Sequence, residues 1–237
     1  MEGVSPRYLM TMPLHAVTEI HGEAGLRERF LLEIADLPEP DRSALIDALD
    51  LAAELHRDDR RTREPYLNHL LRTAIRIRRY YAIDDADVLV AALLHDAVED
   101  HPAELAGSTN GDVVSAALTA IAARFNPRVA DLVRAVTNPE YDPTRDADEQ
   151  YREHVEASLT RTPWARVIKV SDFTDNGVGI VHTTGPKVTR AATKYAPLVP
   201  TLRRLVALPD TPLTEDVKEH IYEQLDTAEE RFRAILG

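Results

Sequence analysis

Apolar residues recur at three- and four-residue intervals along nearly the whole chain, a period that calls for helices packed on helices. Leu45, Ile46, Leu49, Ala52, Ala53 and His56 follow the punctuation at Pro40-Asp41. Pro65 suits the first turn of a helix running through Leu67, Leu70, Leu71, Ala74 and Ile77 to about Tyr81. Asp84, Asp85 and Asp87 complement the dipole at the next helix start. That helix is expected to continue through Val88, Leu89, Ala92 and Leu93 into His95 and Asp96. Further helices are expected at about residues 110–126, 128–137, 146–160, 163–182, 187–207 and 214–235. The last carries an apolar stripe of Val217, Ile221, Leu225, Ala228, Phe232 and Ile235. No stretch alternates apolar and polar residues long enough to compete as a strand. The expected fold class is all-α, a multi-helix bundle.

A chain of 237 residues buries roughly 70% of its unfolded surface and needs no staples. Punctuation falls at 102–111, 138–144, 183–186 and 208–212, and none of these stretches is long enough to be an interdomain linker. Residues 1–24 carry little periodicity and are expected to form an N-terminal arm, with 25–237 a single helical domain. The absence of cysteine excludes a disulfide framework, a thiolate zinc site and a cysteine nucleophile, and fits a reducing compartment. No apolar run approaches the ~20 residues that cross a bilayer, and the N-terminus lacks the regions of a signal peptide. The expectation is a cytoplasmic protein without a membrane partner.

A net charge of −12 disfavours a nucleic-acid partner, which would need a broad basic surface. The charge is unevenly spread, however. Between Arg60 and Arg79 stand seven arginines and one acid, Glu64, which suggests a local site for a small polyanion. A solvated helix face is the alternative reading of that run.

Three segments concentrate ligand-type side chains in apolar surroundings. They are Arg60-Arg61-Thr62-Arg63-Glu64-Pro65-Tyr66-Leu67-Asn68-His69, the stretch from Ala91 to Asp100, and that from Val167 to Asn176. The second begins as a core helix and ends in four ionisable groups, His95, Asp96, Glu99 and Asp100, and buried charges are normally paired or bound to a metal. In the third, Asp172 falls among Val167, Ile168, Val170 and Phe173, so it wants a cation. Lys169 could be that cation. A merely solvated helix end is the competing reading for the second segment, and a satisfied core histidine for His69.

Taken jointly, His69, then His95-Asp96, then Asp172 follow the H…HD…D order of the HD phosphohydrolase superfamily. The segments resemble, more narrowly, the hydrolase domain of RelA/SpoT-type enzymes and their small single-domain relatives. Arg60, Glu64-Pro65-Tyr66, His69, the HDxxED stretch His95–Asp100, Asp172 with Asn176, and Tyr195-Ala196-Pro197-Leu198 carry the likeness, over about residues 45 to 205.

The resemblance implies an HD-domain bundle holding one divalent ion on His69, His95, Asp96 and Asp172. Two imidazoles and two carboxylates leave manganese, iron and zinc open on donor chemistry; similarity to the family favours Mn2+. It also implies that Glu99 and Asp100 orient or deprotonate the attacking water. The implied substrate is a small nucleotide, guanosine tetra- or pentaphosphate, (p)ppGpp, losing its 3′-pyrophosphate. Arg60 would pack on the base, Arg61 and Arg63 would offset phosphate charge, Asn176 would contact ribose or phosphate, and Tyr195 would line the pocket.

Departures from the pattern touch the substrate and leave the metal alone. Arg63 stands where glycine is common, Leu70 replaces a proline after His69, and Gly177-Val178 replaces a methionine and an arginine. One phosphate-binding cation is then either missing or supplied elsewhere, by Lys187, Arg190 or Lys194. Two other readings keep the site: a phosphatase for another purine nucleotide such as NADPH, and a nucleotide-binding regulator with a weak site.

Overall fold

The structure is a computed structural model that describes residues 6–237. The elements are α1 (Pro6–Leu9), α2 (Leu14–Glu33), α3 (Glu39–Leu55), α4 (Leu67–Arg79), α5 (Ala86–Leu93), α6 (Ala97–Asp100) and α7 (Pro102–Ala106). They continue as α8 (Val113–Arg124), α9 (Pro127–Val136), α10 (Ala147–Arg161), α11 (Pro163–Gly177), α12 (Lys187–Tyr195), α13 (Val199–Val206) and α14 (Glu215–Leu236). A 3₁₀ turn over Val178–His182 extends α11, and another over Ala196–Leu198 joins α12 to α13. Among the described residues there is no strand, and Arg60 and Pro65 form one isolated bridge. The fold is all-α.

Starts of helices follow local chemistry. Asp85 accepts from the Val88 amide at 3.4 Å, Asn126 from Val129 at 3.0 Å ahead of Pro127, and Asp146 from Glu149 at 2.8 Å. Each satisfies an amide that lacks an intrahelical partner. Three expected boundaries shift. Pro65 lies in the loop bridged to Arg60, so α4 begins at Leu67. The expected helix 187–207 is interrupted at Pro197, which has no amide hydrogen to give. The helix expected to run through His95-Asp96 stops at Leu93, and its cap Leu94 leaves helical geometry at φ −107°, ψ 9°.

Residues 1–5 of the expected N-terminal arm lie outside the described residues. From residue 6 most of that segment is helical, and Leu9, Met12, Leu14 and Val17 join the same core as Phe232 near the other end of the chain. α2 continues past residue 24 to Glu33, kinked at Gly22, whose φ of 62° suits glycine.

Three helices form the middle of the bundle. α4 packs against α2, α5 and α11, and α11 packs against α14. Residues 67–77 of α4 are all buried, as are residues 88–93 of α5 and all but Asn176 of residues 165–177 on α11. Apolar helices surrounded on every face are the ones that hold polar side chains in a fixed, dry setting. No helix is long and apolar enough to cross a membrane.

Candidate metal centre

His69 comes from the first turn of α4, His95 and Asp96 from the turn after α5, and Asp172 from the middle of α11. Their ligand atoms converge. His69 Nε2 lies 3.3 Å from Asp172 Oδ1 and 3.7 Å from Asp96 Oδ2; His95 Nε2 lies 3.1 Å from Asp96 Oδ2 and 3.7 Å from Asp172 Oδ1. The helix break explains how adjacent residues take part. On a continuous helix His95 and Asp96 would diverge by about 100°; in the turn His95 Nε2 joins His69 and Asp172 in one tight group, and Asp96 Oδ2 flanks the two imidazoles. The break has a local partner, because His95 Nδ1 bonds the Ala92 carbonyl at 2.8 Å.

Both imidazoles are held in the tautomer a metal requires. His69 Nδ1 donates to Asp175 Oδ2 at 2.9 Å and His95 Nδ1 donates to Ala92 O, so each Nε2 keeps its lone pair. His95 Nε2 is buried and accepts no hydrogen bond. An orphaned buried lone pair beside two carboxylate oxygens and a second imidazole fits a divalent cation. Burial opposes charge on His95, but Asp96 and Asp172 on their own outweigh it and lift the imidazole well above its usual range, so a metal ion would displace a proton from Nε2. Asp172 divides its oxygens: Oδ1 faces the histidines, whereas Oδ2 takes the Lys169 ammonium at 2.8 Å. Burial alone would raise Asp172, yet Lys169 and the two imidazoles hold it well below the carboxylate range. Lys169 and the convergent ligand set therefore coexist around one aspartate.

Asp175, one turn beyond Asp172, is a residue the sequence reading missed. Its side chain is 0% exposed and gathers three guanidinium groups. Arg72 donates Nε to Oδ1 at 2.8 Å and Nη2 to Oδ2 at 2.9 Å, with Arg76 at 3.2 Å and Arg61 at 3.3 Å. Arg72 spends its remaining hydrogens on Glu64, at 2.7 and 2.6 Å, and on Thr18 Oγ1 at 3.1 Å. All five donors of the fork are used. The alternative reading of this run as a solvated face fails at Arg72 and Arg76, which are buried. Burial would raise Asp175, but Arg72 and His69 hold it far below the usual range. The available signal was the VSDFTD stretch, which puts a second acid three residues along an apolar helix.

A cleft of about 600 Å³ opens beside this network, and Arg60, Arg61, Arg63, Asn176 and Tyr195 all line it. Arg60 and Arg63 are exposed. Arg61 is less free than expected: it bonds Asp175 and Asn176 and lies over the Tyr66 ring. Asn176 also donates to Asp172 Oδ1 at 2.6 Å, so the wall of the cleft is tied to the ligand set. Tyr195 packs edge-on against Phe173 while facing the cleft. Gly177 has no room for a side chain, since a Cβ there would meet Phe173 and Phe232 at 3.1 Å.

Glu99 and Asp100 lie on α6, one turn past the ligands, and both reach solvent. Asn138 Nδ2 donates to both Glu99 oxygens, at 3.0 and 2.8 Å. Partial burial of the Asp100 carboxyl and the charges of Asp96 and Glu99 push it up to about 6. Asp96 is anchored from the other side by the Tyr66 hydroxyl at 2.7 Å. Tyr66 in turn stacks on His56, which shares Asp59 with His101 at 2.7 and 2.6 Å.

Comparison with known proteins extends this picture. A family model described as "HD domain" matches residues 48–162. The guanosine-3′,5′-bis(diphosphate) 3′-pyrophosphohydrolase MESH1 of Drosophila melanogaster is 32% identical over 134 residues, 55% of this chain and 66% of that protein. Those of Mus musculus and Homo sapiens are each 34% identical over 131 residues, 54% of this chain and 64% of theirs. The chain thus spans just under two thirds of the length of the relatives it matches. A solved structure described as a metazoan ortholog of SpoT that hydrolyzes ppGpp superposes with a TM-score of 0.57 at 26% identity, covering 81% of this chain and 95% of that one. A likeness first carried by a handful of residues therefore extends over more than half of the chain in sequence and 81% of it in structure, and the chain is similar there to HD-domain proteins of the small single-domain pyrophosphohydrolase type.

Proposed function

We propose that this protein is a metal-dependent phosphohydrolase that removes the 3′-pyrophosphate of (p)ppGpp, giving GDP or GTP and pyrophosphate. The observation that carries the reading is the pair of imidazoles whose Nδ1 atoms are both engaged, leaving two Nε2 lone pairs aimed at the oxygens of Asp96 and Asp172. The names of the similar proteins supply the substrate class. Mn2+ is the proposed ion, held by His69, His95, Asp96 and Asp172. Such an ion supplies Lewis acidity, making a water more acidic and drawing charge from a phosphoryl oxygen.

The chain's own residues do the rest. Glu99, steadied by Asn138, orients the attacking water, and Asp100 takes its proton, a task suited to a carboxyl raised toward neutrality. The water oxygen bonds the ribose-proximal phosphorus as the bond to O3′ breaks, and a proton passes to O3′. Lys169 keeps Asp172 ionised throughout. Arg60 stacks on the purine, Arg63 offsets phosphate charge at the mouth of the cleft, Arg61 adds its charge from the cleft wall while tied to Asp175 and Asn176, and Asn176 and Tyr195 position the ribose end.

Purified protein, stripped with a chelator and reloaded with Mn2+, should release pyrophosphate from ppGpp and little from GTP. Release of orthophosphate from NADPH in place of that activity would move the substrate to the 2′-phosphate while keeping the metal chemistry. No turnover of any nucleotide, with binding retained, would refute the hydrolase reading.

A further inference from the structure

A substrate carrying several phosphates must bring negative charge up to Asp96, Asp172, Glu99 and Asp100, so cations beyond the metal are needed nearby. Three candidates lie on α12. Arg190 is committed, its guanidinium bonding both oxygens of Asp148 at 2.7 and 3.0 Å in solvent. Lys187 is exposed on the rim of the cleft. Lys194 differs from both. It is half-buried, and among the described residues no carboxylate pairs with it. Its ammonium lies 4.4 Å from the centre of the Tyr151 ring and 5.4 Å from that of Tyr195.

That seat adjoins the metal centre. The Tyr151 ring that carries Lys194 also carries Lys169, at 5.4 Å, and Lys169 is bonded to Asp172. Burial and the neighbouring Lys169 charge both lower Lys194 from the ordinary ammonium range, and only Glu99, Asp172 and Asp148 act at longer reach to support its charge. A half-buried ammonium held on aromatic faces and lacking a counter-ion is costly alone and gains strongly from an anion. Tyr195 lines the cleft, and the buried Tyr151 packs its ring against Lys194.

We propose that Lys194, seated between Tyr151 and Tyr195, binds the terminal phosphate of the departing pyrophosphate. This rests on the hydrolase reading above for the identity of the substrate, and on the geometry alone for the anion site. It assigns to one residue of α12 a binding role distinct from that of the arginines at the cleft mouth.

The test uses full-length protein loaded with Mn2+ and titrated with inorganic pyrophosphate in a calorimeter. K194M should weaken pyrophosphate binding about 10- to 100-fold, the worth of a charged hydrogen bond to a phosphate. K194R should recover most of the affinity, and Mn2+ affinity should be the same in all three proteins. In turnover, K194M should lower kcat/KM by a similar factor. Equal pyrophosphate affinity in K194M and wild type, or no measurable binding by wild type, overturns the proposal. If K194M loses pyrophosphate while wild type fails to hydrolyse ppGpp, the anion site stands and the substrate reading falls. If ppGpp is hydrolysed and K194M is indifferent, Lys194 alone is wrong.

Discussion

Replacing Asp175 with asparagine keeps the shape of the side chain and removes its charge, which isolates what that charge does. In the native protein the carboxylate is fully buried among Arg72, Arg76 and Arg61 and accepts from His69. The variant leaves the buried Arg72 with Glu64 as its one carboxylate and the buried Arg76 with only the Ser171 oxygens. Removing one partner of a buried ion pair costs about 3–5 kcal/mol. At roughly 2–4 °C per kcal/mol for a chain of this size, Tm should fall by about 6–20 °C. The scan must be run in chelator, since bound metal would add its own stabilisation. Metal affinity should fall as well, by about 10- to 100-fold, because an amide NH2 facing His69 Nδ1 favours the tautomer that protonates Nε2. The pH dependence has a definite sign. The folded carboxyl is held well below its unfolded value, so its contribution is present above about pH 4 and is lost as pH falls through the folded pKa. The gap between D175N and wild type should therefore narrow on acidification below about pH 4. A Tm within about 3 °C of wild type at pH 7, with unchanged Mn2+ affinity, would refute the view that Asp175 neutralises this network and orients His69.

Glu99→Gln should leave Mn2+ affinity within about twofold and lower kcat by about 10²- to 10⁴-fold; stopped assays beside metal titrations separate the two, and full activity would remove Glu99 from the mechanism. Arg60→Ala should raise KM by about 2- to 30-fold, the range for a cation over a ring, with kcat little changed. Initial rates across a ppGpp series give that split, and a loss confined to kcat would contradict base stacking.

The helices were legible because α4, α5 and α11 carry apolar residues at helical spacing, and the four expected ligands lie on or beside them. Two features were hidden. Nothing in the stretch ALLHDA, which holds neither glycine nor proline, announces a break at Leu94; the bond from His95 to Ala92 that accompanies it depends on the turn having already formed. The burial of Arg72 and Arg76 was hidden for a different reason. Arginines on a helix are usually solvated, and only the arrival of Asp175 from a helix about a hundred residues away makes their burial favourable. Arg61 illustrates the same limit: its sequence position suggested an open phosphate ligand, but Asp175 and Asn176 already hold it.

The course of α2 has a practical consequence. This helix lies outside residues 48–162, yet Thr18 takes one of the Arg72 hydrogens, and His15 stands 3.7 Å from Asp175 while stacking on His182 across the end of the cleft. Amputating the first 24 residues would therefore not be a neutral trimming. It would strip one wall from the end of the cleft and let water reach a set of charges that the rest of the bundle keeps dry.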